Sequence, residues 1–194
     1  MKTKTQFIVY ILSLPWNLTV AWPTVLFVWL FWGKNLRLET PPLPNPGGPV
    51  LACEMKAGSW PARTWYVQRR DENGKPHTWG ATTLGHAIFY GVDIVKVGEW
   101  SHVQEHEHVH VEQFGASMVG ALVASLWVGI TVAALGHWMA ALVIGGLIWW
   151  SGFLQMCVGG WVVAALRGEN AYRGSAHEES AYSQGDAYRD REGR

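Results

Sequence analysis

Four histidines, His102, His106, His108 and His110, fall within nine residues that also hold Glu105 and Glu107, with Glu112 just beyond. On a helix, side chains four apart share a face. His106 and His110 can then reach one ion while Glu107 projects beside it. Such a set suits Zn²⁺: two neutral imidazoles hold the ion, and the carboxylate takes a proton from the water it activates. Glu107 would then return that proton to a leaving amine. On a strand the period is two, and His106, His108, His110 and Glu112 would line one face as a strand-borne metal site. The same histidines would also serve simply to solvate a helix at a membrane surface, since a His-rich stretch matches a short motif easily.

The flanking residues favour the helix. Ser101-His-Val-Gln104 has the form of a capping box, and an apolar stretch of helical length follows. A catalytic zinc on two helix histidines still lacks one protein ligand. His102, one turn before His106, is expected to solvate the surface or to orient a ligand. His137 is expected at a membrane interface, and Asp93 and Glu99 as loop charges.

The elements that must position these residues belong to an apolar chain. Of its 194 residues, 49% are hydrophobic and 15% charged, well below the roughly 25% charged of soluble domains. The 13 Trp residues crowd around the apolar runs, as indoles do at headgroup level. Formal net charge is zero, and no basic stripe points to nucleic acid. Cys53 and Cys157 are too far apart in context for a disulfide or a zinc knuckle.

Five segments follow in order. Residues 1–40 are a retained N-terminal anchor and its flank, with an apolar run from Phe7 to Trp32 that Pro15 and Pro23 should kink or divide. Residues 41–49 are a Pro/Gly linker. Residues 50–117 comprise a β-hairpin, with strands over Arg63–Arg69 and Thr78–Tyr90 about an Asn-Gly turn, and then the His-bearing helix. Gly115-Ala-Ser117 is read as a point where that helix is interrupted. Residues 118–166 form a transmembrane helical hairpin (Met118–Leu135 and Trp138–Leu166 about Gly136-His137), and 167–194 are a polar tail. Gln155, inside the last span, suits a helix–helix hydrogen bond. The fold class is thus an α+β membrane protein: about three transmembrane helices, a small β-hairpin or sheet, and an HExxH helix at the membrane surface.

The tail contains Glu178-Glu-Ser-Ala181-Tyr182. With His106-Glu107, His110-Val-Glu-Gln113 and the strand-like Leu84-Gly-His-Ala-Ile88, it resembles the gluzincin metallopeptidases over roughly Thr83 to Tyr182. The resemblance implies His106, His110 and Glu178 as zinc ligands and Glu107 as general base. Glu179 is the rival for the third position. Tyr172, Tyr182, His86 and His177 are candidates for stabilising the oxyanion.

Topology bears on this independently. Two spans joined by an uncharged turn return the chain to the side it left, so Glu178 and His110 meet at one membrane face. Lys34, Arg37, Arg167 and Arg173 flank that face, against Lys2 and Lys4 on the other, so the positive-inside rule points to a cytoplasmic site with the N-terminus outside. The expected function is hydrolysis of peptide bonds in a peptide or membrane-protein substrate, laid as an added strand along the Thr78–Tyr90 edge, in a multi-pass protein of the lipid bilayer. The alternatives are a non-catalytic subunit docked on partners in a membrane complex, and a di-iron oxidase, which the lack of a second His box disfavours.

Overall fold

The computed structural model describes residues 2–39, 49–56, 58–64, 67–70, 76–91, 102–170, 174–176 and 178–183. The Pro/Gly linker up to residue 48, the Asn-Gly turn at 71–75, Asp93, Glu99, Ser101, Tyr172, Arg173, His177 and the end of the tail lie outside these.

The first apolar run folds as α1 (Lys2–Trp16) and α2 (Trp22–Trp32), joined by a π-helical turn at Asn17–Ala21. Pro23 has no N–H to give to the preceding turn, and the helix widens there rather than breaking. Thr19 Oγ1 donates to the Pro15 carbonyl at 2.7 Å. Ser13, Asn17, Ala21, Val25 and Val28 are buried, while Phe7, Ile11, Leu18, Phe27 and Phe31 are exposed, so one stripe of the helix faces the core. Asn17 on that stripe receives the His86 backbone N–H at 3.1 Å and faces the His86 ring Nδ1 at 2.9 Å. Replacing Asn17 by Leu strands two buried polar groups of His86, each costing roughly 1–3 kcal/mol. The melting temperature measured in detergent is therefore expected to fall, whereas Leu18→Ile on the exposed stripe should leave it near the wild-type value.

β1 (Gly33–Glu39) continues directly from α2 and pairs antiparallel with β2 (Val50–Met55). The flank assigned to the anchor is therefore part of the sheet. Next come α3 (Trp60–Thr64), β3 (Val67–Arg70) and β4 (Pro76–Trp79). β3 and β4 form the expected antiparallel hairpin, but its first strand starts later than expected, because Trp60–Thr64 is a helical turn opened by Pro61.

The long returning strand is divided. Gly80 has φ +137° and Gly85 φ +62°, conformations open to glycine alone at little cost. A Cβ on Gly85 would also stand 2.8 Å from both Asn17 Oδ1 and the Trp16 ring. What results is β4, then β5 (Ala81–Thr83) and β6 (Ala87–Tyr90). The four-stranded sheet has the order β1-β2-β6-β5, in which β2 and β6 run parallel and β5 is an edge.

α4 (His102–Ala134) is one helix of 33 residues, about 50 Å long at 1.5 Å per residue. The interruption expected at Gly115 does not occur. Gly115 is buried, and a Cβ there would come 2.6 Å from Val9 Cγ1, so the glycine serves close approach of α1 to α4. The upper turns pack inward through Val109, Val111, Phe114 and Met118, whereas Val123, Leu126, Trp127 and Ile130 further down are exposed. Gly136 (φ +86°) turns the chain into α5 (Trp138–Trp150), which is held on α4 by a hydrogen bond from Ser125 Oγ to the Gly145 carbonyl at 2.7 Å.

α6 (Gly152–Leu166) is bent by 63° from α5. The third apolar stretch is therefore a bent pair and not one straight helix. Gln155 makes its helix–helix hydrogen bond between α6 and α5: its Nε2 donates to the Ile148 carbonyl at 3.2 Å across the bend, and to Ser151 Oγ at 2.6 Å. Among the described residues, two helices are long and apolar enough to cross a membrane, Phe7–Trp32 and Val103–Ala134, and the bent pair is a third if it counts as one span. A short helix at 178–183 closes the described chain.

Candidate metal centre

α4 places His106 and His110 on one face, and the 178–183 helix brings Glu178 against them. His106 Nε2 and His110 Nε2 stand 3.2 Å apart. The Glu178 carboxylate offers one oxygen to each imidazole, at 3.5 Å from His106 and 3.4 Å from His110. Donor atoms bonded at about 2.1 Å to a tetrahedral zinc are separated by about 3.4 Å along each edge. The two imidazole nitrogens are spaced close to one such edge, and with one carboxylate oxygen of Glu178 the three donor atoms all lie within 4.8 Å of one another. Both imidazoles are only partly exposed and Glu178 is buried, so the donors are held by packing. Among the described residues this is the one His/Cys/Asp/Glu group whose ligand atoms could hold a metal ion.

Glu178 and not Glu179 faces the histidines, and Glu179 is exposed. Four residues beyond Glu178, the Tyr182 ring lies 4.7 Å from the His106 ring, as a shared helix face requires. Tyr182 is thus the one oxyanion candidate that the described residues bring to the histidines. His86 is fully buried elsewhere, tied to Asn17 and set edge-on to Tyr10 and Phe114, because Gly85 turns the chain into the α1 packing. His137 is exposed at the α4–α5 turn.

Glu107 is buried on the same turns of α4 as the two histidines. Thr83 Oγ1, at the end of edge strand β5, donates to its Oε2 at 2.7 Å and lies 3.2 Å from its carbonyl. One threonine therefore fixes both the carboxylate and the turn of α4 that bears it to the sheet. No feature of the sequence distinguishes Thr83 from Thr82, and only the strand register does so.

His108 points to the opposite side of α4, as helical spacing requires. Its Nε2 is 3.2 Å from the buried Glu39 carboxylate, which also receives Tyr90 Oη at 2.8 Å, Arg37 Nε at 2.7 Å and Gln104 Nε2 at 3.4 Å. Burial pushes the Glu39 carboxyl up, but the bonds from His108, Tyr90 and Arg37, with the Arg37 charge, outweigh it and hold it below its ordinary value. Arg37 also bonds Glu54 at 3.0 Å. This network clamps the helix to β1 and β6 and thereby sets where His106 and His110 point. Cys53 and Cys157 are both free thiols.

No protein-family model, curated protein or solved structure matches the chain. The site must be read from its own chemistry. Two imidazoles and one carboxylate are donor types that a zinc ion accepts, and this group could hold a metal ion. Glu107 lies outside this group.

Proposed function

We propose that the protein is a multi-pass membrane zinc peptidase of gluzincin type, with its site where α4 leaves the bilayer. The spacing of the His106, His110 and Glu178 donor atoms carries this reading. Bound there, zinc supplies a water acidic enough to lose a proton near neutral pH and a Lewis acid for the scissile carbonyl. Glu107 would act as the proton acceptor and later the donor to the leaving amine, and Thr83 holds its carboxylate in place. Tyr182, against the His106 ring, would on this reading donate to the developing oxyanion.

A hydrocarbon core of about 30 Å takes about 20 helical residues. The lower part of α4, lined with exposed Val123, Leu126, Trp127 and Ile130, is long enough for that. The ligand-bearing turns, packed on the sheet, then stand at the surface. Edge strand β5 lies beside them and offers backbone groups to a polypeptide laid as an added strand. On this reading the substrate is a peptide or membrane protein, and the Lys34, Arg37 and Arg167 flanks favour a cytoplasmic site under the positive-inside rule.

Reconstituted in liposomes with a reporter of one transmembrane segment and an extended flank, the protein is expected to cleave the flank. Cleavage should cease on chelation and return with zinc. Zinc bound at one per chain with no cleavage of any reporter would instead favour a non-catalytic, metal-binding subunit of a membrane complex.

A further inference from the structure

The two histidines of the centre are held by different means. His106 is packed against Tyr182 and set at right angles to the His110 ring, with centroids 4.8 Å apart. His110 has a directed partner: its Nδ1 lies 2.8 Å from Gln113 Oε1. An amide oxygen can only accept, so this contact requires the proton on Nδ1. A neutral imidazole protonated there keeps its lone pair on Nε2, the atom that faces His106 and Glu178.

We infer that Gln113 is a positioning residue for the candidate metal centre, whose side-chain oxygen fixes the His110 ring so that Nε2 is the ligating atom. The inference rests on the zinc reading of the site. Gln113 is one turn beyond His110 on the same helix, so the two side chains meet without any help from the rest of the fold. The bond does two things. It selects the tautomer able to bind a cation, and it holds the ring plane against rotation about Cβ–Cγ. Partners of this kind typically contribute 10- to 100-fold in metal affinity.

Gln113 also lines a groove of about 460 Å³ between α4 and α6, with Ser117, Gly120, Gly152 and Gln155 among its walls. A side chain of similar size therefore has room there, and Gln113→Leu is expected to fold. Zinc affinity would be measured by chelator competition on the full-length protein in detergent, for the wild type, Gln113→Leu, Gln113→Glu and His110→Ala, with metal-free melting curves alongside. Gln113→Leu should bind zinc about 10- to 100-fold more weakly with an unchanged metal-free melt. Gln113→Glu, which still accepts from Nδ1–H, should match or exceed the wild type. Wild-type affinity in Gln113→Leu beside weakened binding in His110→Ala would overturn the positioning role and leave the metal centre standing. Equal weakening in Gln113→Leu and Gln113→Glu would likewise overturn it, by showing that bulk and not the acceptor matters. Undiminished binding in His110→Ala would remove the metal centre and this inference together.

Discussion

Glu107→Gln should retain one zinc per chain and lose turnover by about 10²- to 10⁴-fold, the range a positioned general base contributes. The amide has the same shape, and its oxygen can still accept from the Thr83 hydroxyl, now 2.7 Å from the carboxylate, so the helix turn keeps its place on β5. What it cannot do is accept a proton. His106 and His110 are unchanged in this variant, and Glu107 is not one of the three donors that meet. Zinc content by emission spectroscopy and the cleavage rate of the liposome reporter check both halves. A cleavage rate close to wild type would remove Glu107 as the base; loss of zinc would mean that it ligates.

The second large effect concerns a residue on the opposite side of α4 from His106 and His110. Glu39→Ala should destabilise the fold by about 3–5 kcal/mol, the usual result of removing one partner from a buried charged network. Arg37, Tyr90, His108 and Gln104 would all lose an acceptor at once. The sign of the pH dependence follows from the carboxyl being held below its ordinary value. Its stabilisation is present above the unfolded-state pKa and is lost as pH falls through the lower folded value. Wild type should therefore unfold at lower denaturant concentration on acidification, while Glu39→Ala should show a flatter acid limb. Equal stability of the two proteins at neutral pH would mean that the clamp contributes nothing.

Much of the site was legible because it rests on local periodicity. His106 and His110 are four apart and Gln113 three further on, so any helix there puts them on one face. Glu178 needed only an apolar hairpin to bring it back. Long-range pairing was not legible in this way. Val50–Met55 has almost no polar alternation, since β2 is buried between β1 and β6, and nothing in its residues signals a parallel partner 36 positions on at Ala87–Tyr90. Glu39 and His108 meet across 69 residues, and an isolated glutamate before a proline-rich stretch reads as a surface charge. The glycines misled for a related reason. Gly115 is read from composition as a helix breaker, yet it is there for contact with Val9, and Gly80 divides the strand unannounced, whereas Gly85 does weaken the expected strand where the chain turns. A glycine's role is set by its neighbours in space, which local pattern does not contain.

The claim on which everything else depends is that Glu178 joins His106 and His110 around one metal ion. Zinc titration of wild type and Glu178→Ala by isothermal calorimetry, with Glu179→Ala as the neighbouring control, tests it most directly. One site per chain is expected in the wild type, with affinity lowered at least about 10-fold in Glu178→Ala and unchanged in Glu179→Ala. Equal zinc affinity in wild type and Glu178→Ala would contradict the three-ligand centre.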